Sequence, residues 1–247
     1  MTQQEDMPAP GAGEEEDARL PVLYWVNGSI PSWQVMCVLE ERGIAYEPRR
    51  LRVMGDGGRE TRTPQFLALN PYGQAPVWVE HDGFVLRESL AIVHYLDRTR
   101  PWYRQLLYTG DLLQEGRILQ VMYELDRLRQ SYRPLERLFL GEDALSVEEL
   151  ERARLAPDRV HAELAYWEEL LGDAPFVVGD TLTLADCMFW PVLGYQLRRG
   201  LDLSSWPALQ AYAARCRERP SFVRAHPQGW ETRVRGKKDL FAIAKKR

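Results

Sequence analysis

Asn70-Pro71-Tyr72-Gly73-Gln74-Ala75-Pro76-Val77-Trp78-Val79, followed by Phe84-Val85-Leu86-Arg87-Glu88-Ser89-Leu90-Ala91-Ile92, decides how the first third of this chain folds. Gln74-Ala75-Pro76 leads into the apolar run Val77-Trp78-Val79. His81-Asp82-Gly83 supplies the Asp-Gly pair that tight hairpins prefer, and Phe84-Val85-Leu86 is a second apolar run. Glu88-Ser89 then opens a segment with apolar residues at Leu90, Ile92, Val93 and Leu96, which is helical spacing. A hairpin therefore feeds straight into a helix N-terminus, with a proline at the strand entrance. The unpaired first-turn N–H groups of such a helix attract a carboxylate. Glu88 sets a carboxylate beside them, suited to an ammonium, and Ser89 both donates and accepts. Together they can hold the carboxylate and amine of an amino-acid head group, although a capped helix after a hairpin accounts for the same two residues.

A second segment adds chemistry. Val22-Leu23-Tyr24-Trp25-Val26 reads as a strand, Asn27-Gly28-Ser29-Ile30-Pro31-Ser32 as a turn, and Val35, Met36, Val38 and Leu39 as a helical stripe that stops at Arg42-Gly43. This β-loop-α opening resembles that of thioredoxins and glutaredoxins, in which the turn holds Cys-x-x-Cys. Ser29 and Ser32 stand where the two cysteines would be. A cysteine pair there exchanges thiols, because the helix N-terminus lowers the first thiol's pKa. A serine pair cannot, but a serine hydroxyl can stabilise a thiolate brought by another molecule.

Taken in order, the two segments resemble the cytosolic glutathione transferases: the serine of the first turn, Asn-Pro-x-x-Gln-x-Pro before the hairpin, and Glu-Ser at the next helix. Phe176-Val177-Val178-Gly179-Asp180-Thr181-Leu182-Thr183-Leu184-Ala185-Asp186 is similar to that family's buried helix start, with Thr183 as N-cap and Asp186 reaching back to it. Arg219-Pro220-Ser221-Phe222-Val223-Arg224-Ala225-His226-Pro227-Gln228-Gly229-Trp230 is similar to the tail of the rho-type branch. The resemblance spans roughly residues 20 to 230. It implies an α/β thioredoxin-like first domain of order βαβαββα, an all-α second domain, glutathione as co-substrate, a small hydrophobic electrophile, and a homodimer in the cytoplasm.

The resemblance also implies residue roles. Free thiols titrate near 8.5 and are mostly protonated at neutral pH. The catalytic residue is expected to be Ser29, whose hydroxyl would donate to the sulfur and favour the thiolate. Ser32, which could instead cap the helix, and Tyr24, inside the first strand, are alternatives. The family carries a cis proline at the position of Pro76, so Ala75 is expected to pair its backbone with the cysteinyl unit of glutathione, a short β-augmentation. Gln74 is expected near the γ-glutamyl carboxylate, with Glu88 and Ser89 on the γ-glutamyl amine and carboxylate. The glycine carboxylate wants a cation, and Arg49, Arg50, Arg52, Arg59 and Arg62 are available without a motif to choose among them. Some relatives have a histidine where Gly73 stands, so that contact is missing. Met122 and Tyr123 are expected to line the electrophile pocket between the domains. Asp126, Tyr132, Trp102, Trp190 and Trp230 are further candidates, residue types that more often belong to core or interface.

The rest of the chain sets bounds. Its 247 residues suit one large or two ordinary domains, 45% apolar residues suffice for a core, and a net charge of −4 gives no reason to invoke nucleic acid. No apolar run approaches the roughly eighteen residues of a membrane span. Residues 1–19 read as a polar, acidic lead-in containing Glu14-Glu15-Glu16-Asp17, without the features of a signal peptide. Cys37, Cys187 and Cys216 lie far apart, as expected of reduced thiols, and neither they nor the four histidines have metal-ligand spacing. The expected organisation is a first domain at 20–98, a linker at 99–110, a helical domain at 111–230 and a solvated basic tail at 231–247. Within the helical domain, long helices are expected at 111–140, ended or kinked by Pro134, and at 146–171, interrupted at Pro157, with shorter ones near 183–197 and 206–217.

Overall fold

A computed structural model of the chain describes residues 19–53, 58–100, 105–230 and 238–245. The first half follows the expected order: β1 (Val22–Trp25), α1 (Ile30–Arg42), β2 (Glu47–Arg50), α2 (Pro64–Leu69), β3 (Val77–Val79), β4 (Val85–Arg87) and α3 (Ser89–Thr99). The strands form one mixed sheet in the order β2-β1-β3-β4. β1 runs parallel to β2 and antiparallel to β3, and β3 and β4 form the hairpin. Leu23 and Trp78 pair across the sheet and are wholly buried. β2 is exposed along its whole length, and its Glu-Pro-Arg-Arg sequence places charge and a proline on an edge that would otherwise invite another strand.

The second half is helical: α4 (Leu112–Glu136), α5 (Val147–Leu171), α6 (Leu184–Arg198), α7 (Pro207–Glu218), α8 (Pro220–Ala225) and α9 (Leu240–Ala244). Among the described residues no helix is long and apolar enough to cross a membrane. α6 is the buried centre of this half, and its start is built as expected. The Asp186 carboxylate accepts from the N–H and hydroxyl of Thr183 and from the Val177 N–H, while burial pushes its pKa up to about 6 against those bonds. α6 packs directly on α1, because Gly194 admits the ring of Trp33. A Cβ at that glycine would lie 2.7 Å from the ring. Two ion pairs, Arg219–Glu41 and Arg224–Glu40, fasten α8 to α1.

Three expectations need correction. α5 runs through Pro157 without a break. The proline removes one hydrogen bond, but its own ring and the neighbouring Ala153, Ala156 and Val160 are buried, so packing holds the helix together. Pro134 does not end α4, which continues to Glu136 before a 3-10 turn at Arg137–Leu140. The basic tail is not wholly solvated. Residues 1–18 and 231–237 lie outside the described residues, but α9 buries Leu240, Phe241 and Ala244, with Phe241 against Tyr132. The run Leu-Phe-Ala-Ile-Ala was concealed between lysines on both sides.

Candidate active site

Three local segments converge on one cavity of about 1060 Å³ between the sheet domain and α4. The first is the turn after β1. Ser29 is the N-cap of α1, and its Oγ accepts from the Ser32 N–H at 3.5 Å. Capping uses a lone pair and leaves the hydroxyl proton available to the cavity. Ser32, the alternative cap, is instead buried, and its Oγ accepts from the Val26 N–H at 3.2 Å, closing the turn from inside. Tyr24 does not line the cavity; its hydroxyl accepts from Arg49 and its ring packs edge-on to Phe66. The turn is backed by Trp230, whose ring lies so near Gly28 that a Cβ there would come within 2.9 Å. Gly28 also has a φ of 79°, so the position needs glycine on two counts.

The second segment is the loop before the hairpin. Asn70 is buried and shapes it. Its side chain donates to the Gln74 carbonyl at 2.7 Å and accepts from the Tyr72 N–H at 3.1 Å. The Ala75–Pro76 peptide is cis, and Gln74, Ala75 and Pro76 all line the cavity. The third segment is the start of α3. Glu88 is the N-cap with φ 67° and ψ 120°, and among the described residues it is the one non-glycine with positive φ. Such a backbone costs on the order of 1–3 kcal/mol and marks sites where geometry outweighs local stability. Its side chain makes no capping bond, so the carboxylate is free to face a ligand. Ser89 donates to the Gln34 amide oxygen at 3.5 Å, and the Gln34 nitrogen donates to the Met188 carbonyl at 2.9 Å.

Gln34 was missed by sequence reasoning. It lines the cavity, is almost fully buried, and links the α3 start to α6 of the helical half. A polar residue inside the otherwise apolar stripe of α1 was its only signal. Of the five arginines considered, Arg59 and Arg62 line the cavity. Arg49 is bound to Glu47 and Arg52 to Glu60, and Arg50 faces Trp25 and Gln228. Met122, Tyr123 and Asp126 form the opposite wall with Leu125, Arg129 and Met188. Trp190 and Trp230 do not line it. They belong to an aromatic cluster around Trp33, with ring centres 5.9 and 5.6 Å from it, behind the turn. Tyr132 lines a separate chamber of about 270 Å³, and Trp102 lies outside the described residues.

The three cysteines are free and buried, and burial pushes their thiols well up, so none supplies a nucleophile. Among the described residues no group of His, Cys, Asp or Glu could hold a metal ion.

Comparison with known proteins agrees with this geometry. Residues 28–99 match the glutathione S-transferase N-terminal domain and residues 137–220 the glutathione S-transferase C-terminal domain. Glutathione S-transferase A of Pleuronectes platessa is 31% identical over 214 residues, covering 84% of this chain and 92% of that protein. Maleylacetoacetate isomerase of Pseudomonas aeruginosa is 29% identical over 213 residues, covering 83% and 95%. The crystal structure of a glutathione S-transferase from the Antarctic clam Laternula elliptica superposes with a TM-score of 0.77 at 27% identity, over 91% of this chain and 98% of that one.

Proposed function

Since this chain belongs to the glutathione S-transferase family, we propose that it binds glutathione in the cavity beside α1 and α3 and transfers its thiolate to small hydrophobic electrophiles. The observation that carries the reading is the meeting of Ser29, at a helix N-terminus, with Glu88 and Ser89, at another, in one cavity lined by Gln74, Ala75 and Pro76. A tripeptide with an amine and carboxylate at one end and a thiol in the middle suits those donors and acceptors. Its γ-glutamyl head falls to Glu88, Ser89 and Gln74, its cysteinyl backbone to Ala75, and its sulfur to the Ser29 hydroxyl. Arg59 or Arg62 then takes the glycine carboxylate. Catalysis is thiolate formation plus proximity to an electrophile held against Met122 and Tyr123. The serine of the first turn and the Arg219–Trp230 tail favour the rho-like branch, and the buried, unreactive thiols fit a cytoplasmic protein.

A second reaction on the same site, glutathione-dependent isomerisation, is favoured by the likeness to maleylacetoacetate isomerase. It needs the same thiolate, which would add to a double bond and leave again. Retention on immobilised glutathione, with turnover of a chlorinated nitroaromatic and of a cis-unsaturated diketo acid measured side by side, separates the two. Retention with neither turnover would leave a binding module.

The head-group assignment has its own test. Glu88→Ala and Ser89→Ala are each expected to weaken glutathione binding by roughly ten- to a hundredfold, the value of one charge-assisted hydrogen bond. Titration calorimetry on the single variants reads this directly, and unchanged affinity in both removes the assignment. Dimerisation is a further part of the reading. Leu112 and Leu113, at the start of α4, are 81% and 87% exposed, and a twofold pairing would cover them. Sedimentation at micromolar concentration is expected to give about twice the chain mass, and a monomer there counts against it.

A further inference from the structure

The turn that carries Ser29 is held from near the far end of the chain. Residues 227–230 form a tight turn after α8, closed by the Trp230 N–H on the Pro227 carbonyl at 3.3 Å. Its backbone meets Asn27 in a reciprocal pair of hydrogen bonds. The Asn27 amide nitrogen donates to the Gln228 carbonyl at 3.1 Å, and the Gln228 N–H donates to the Asn27 amide oxygen at 3.0 Å. Beside them the Trp230 indole lies on Gly28, where a Cβ would meet it at 2.9 Å. The two residues before Ser29 are thus gripped by a segment 201 residues further along the chain. That segment is itself anchored to the helical half. Arg198 of α6 donates to the Trp230 carbonyl at 2.6 Å, and its guanidinium lies 4.7 Å from the centre of the indole. Trp33 of α1 meets the same indole edge-on at 5.6 Å, and its N–H donates to the Ser29 carbonyl at 2.9 Å.

The gripping groups stand behind the site. Val26, Ser29 and Pro31 line the cavity, whereas Asn27, Gly28 and Trp230 do not. The Ser29 side chain is only loosely tied by its own cap bond, which at 3.5 Å is longer than the roughly 2.7–3.2 Å of an ordinary N–H···O bond. A hydroxyl that serves a sulfur has to be aimed, and a displacement of about 1 Å can cost about a hundredfold in rate. The aim therefore rests on the backbone. Glycine is the residue at which a turn drifts most readily, and Gly28 is where the indole lies. We propose that residues 227–230 are a clamp that positions the Ser29 hydroxyl on the glutathione sulfur, with Asn27 and Trp230 as positioning residues. The inference rests on the reading of Ser29 given above. It makes thiolate formation a property of both halves of the chain. The turn after β1 supplies the hydroxyl, and α6 with the segment after α8 supplies the fixed backbone that aims it. Asn27 and Trp230 are uncharged, so an effect of their removal on the thiolate reports geometry and not a lost charge.

The test follows the thiolate absorbance of bound glutathione against pH in the parent, Asn27→Ala, Trp230→Ala and Ser29→Ala. Turnover of 1-chloro-2,4-dinitrobenzene is measured over the same pH range. Asn27→Ala removes both bonds to Gln228, and Trp230→Ala removes the ring from Gly28. Each is expected to move the titration to higher pH and to lower kcat at neutral pH by about tenfold, part of the value of a hydrogen bond to a charged group. The KM for glutathione should change little, because Glu88, Ser89 and Gln74 hold its head, and kcat should recover above the shifted titration. Asn27 makes its contacts at an exposed position, which keeps the test open should Trp230→Ala fold poorly. A clamp that acts through Ser29 has nothing further to lose once the hydroxyl is gone, so Asn27→Ala/Ser29→Ala is expected to titrate with Ser29→Ala. If Ser29→Ala shifts while Asn27→Ala and Trp230→Ala titrate with the parent, the clamp is overturned and the role of Ser29 stands. The segment is then a fastening, visible only in the melting temperature. An additive shift in the double variant also overturns the clamp, since it places the effect outside the hydroxyl. An unmoved titration in Ser29→Ala removes the reading of Ser29 and the clamp with it. The full set of shifts without turnover of any electrophile upholds the clamp and sinks conjugation alone.

Discussion

Ser29→Ala is expected to lower turnover by one to three orders of magnitude while the affinity for glutathione changes little. The hydroxyl acts on the thiolate alone, whereas Glu88, Ser89, Gln74 and Ala75 hold the rest of the tripeptide. A hydrogen bond to a charged group is worth about 1.5–3 kcal/mol, and the first turn of α1 adds about 0.3–1 kcal/mol for an anion at its end. At 1.36 kcal/mol per pKa unit the full site lowers the thiol by about two units, so a loss beyond about a thousandfold is not expected. The sign follows from charge. Removing a donor to the anion disfavours the anion, so the thiolate absorbance of bound glutathione should titrate at higher pH in the variant. Ser29 also caps α1, and loss of an N-cap costs about 1 kcal/mol of stability. With its cap distance at 3.5 Å, the lower part of that range applies, and a melting temperature within a few degrees of the parent keeps the kinetic result interpretable. A thiolate titration that does not move would reduce Ser29 to a cap. Ser29→Cys is the companion: it should lose conjugation and gain thiol exchange, since it restores a sulfur at a helix N-terminus.

The parts of this site that were legible in the sequence are those written in consecutive residues. The turn at 27–32, the loop at 70–76 and the start of α3 each carry their own local signal, a glycine, an X-Pro pair or a helix start, and the fold brings the three together. Even there, local reasoning gives the cap to Ser32, whereas Ser29 is the residue that makes it. Ser29 and Ser32 are three residues apart, and only the burial of Ser32 against Val26 decides between them. What was not legible comes from helix faces. Gln34, Arg129 and Met188 are single residues on long helices, and which way each points depends on how α1, α4 and α6 are rotated against one another. That rotation is set by contacts such as Gly194 with Trp33, far apart in sequence. The same holds for the aromatic residues. Trp190 and Trp230 were further candidates for the electrophile wall beside Tyr123, and tertiary packing sends them behind the turn instead.

The largest effect on stability is expected at Asp97. It lies in the last turn of α3, wholly buried, where a negative charge opposes the helix dipole. Two sets of partners hold it there. Its carboxylate accepts from the N–H groups of Leu106, Leu107 and Tyr108, at 2.8, 2.9 and 3.1 Å, and it pairs with the equally buried Arg42 at 3.3 Å. Arg42 also donates to the Leu96 and Arg100 carbonyls and so closes the end of α3. Asp97→Ala would leave a guanidinium buried without its carboxylate and three backbone donors without an acceptor. Breaking a buried pair in this way costs about 3–5 kcal/mol, and at roughly 2–4 °C per kcal/mol for a chain of this size the melting temperature should fall by roughly 6–20 °C. The consequence reaches the site. Residues 105–108 lead from the sheet domain to the helices, and the Leu106 carbonyl accepts the Leu184 N–H at 2.8 Å, the first residue of α6. α6 in turn offers the Met188 carbonyl to Gln34, and Gln34 holds Ser89. Loosening Asp97 should therefore raise the KM for glutathione as well as lower the melting temperature, although Asp97 touches no substrate. In the double variant Arg42→Met/Asp97→Ala the buried charge that Asp97 balances is gone as well, so its loss of stability should be smaller than the sum of the two single losses. Strict additivity, or a melting temperature for Asp97→Ala within about 2 °C of the parent, would show that the linker is held by packing and not by this carboxylate.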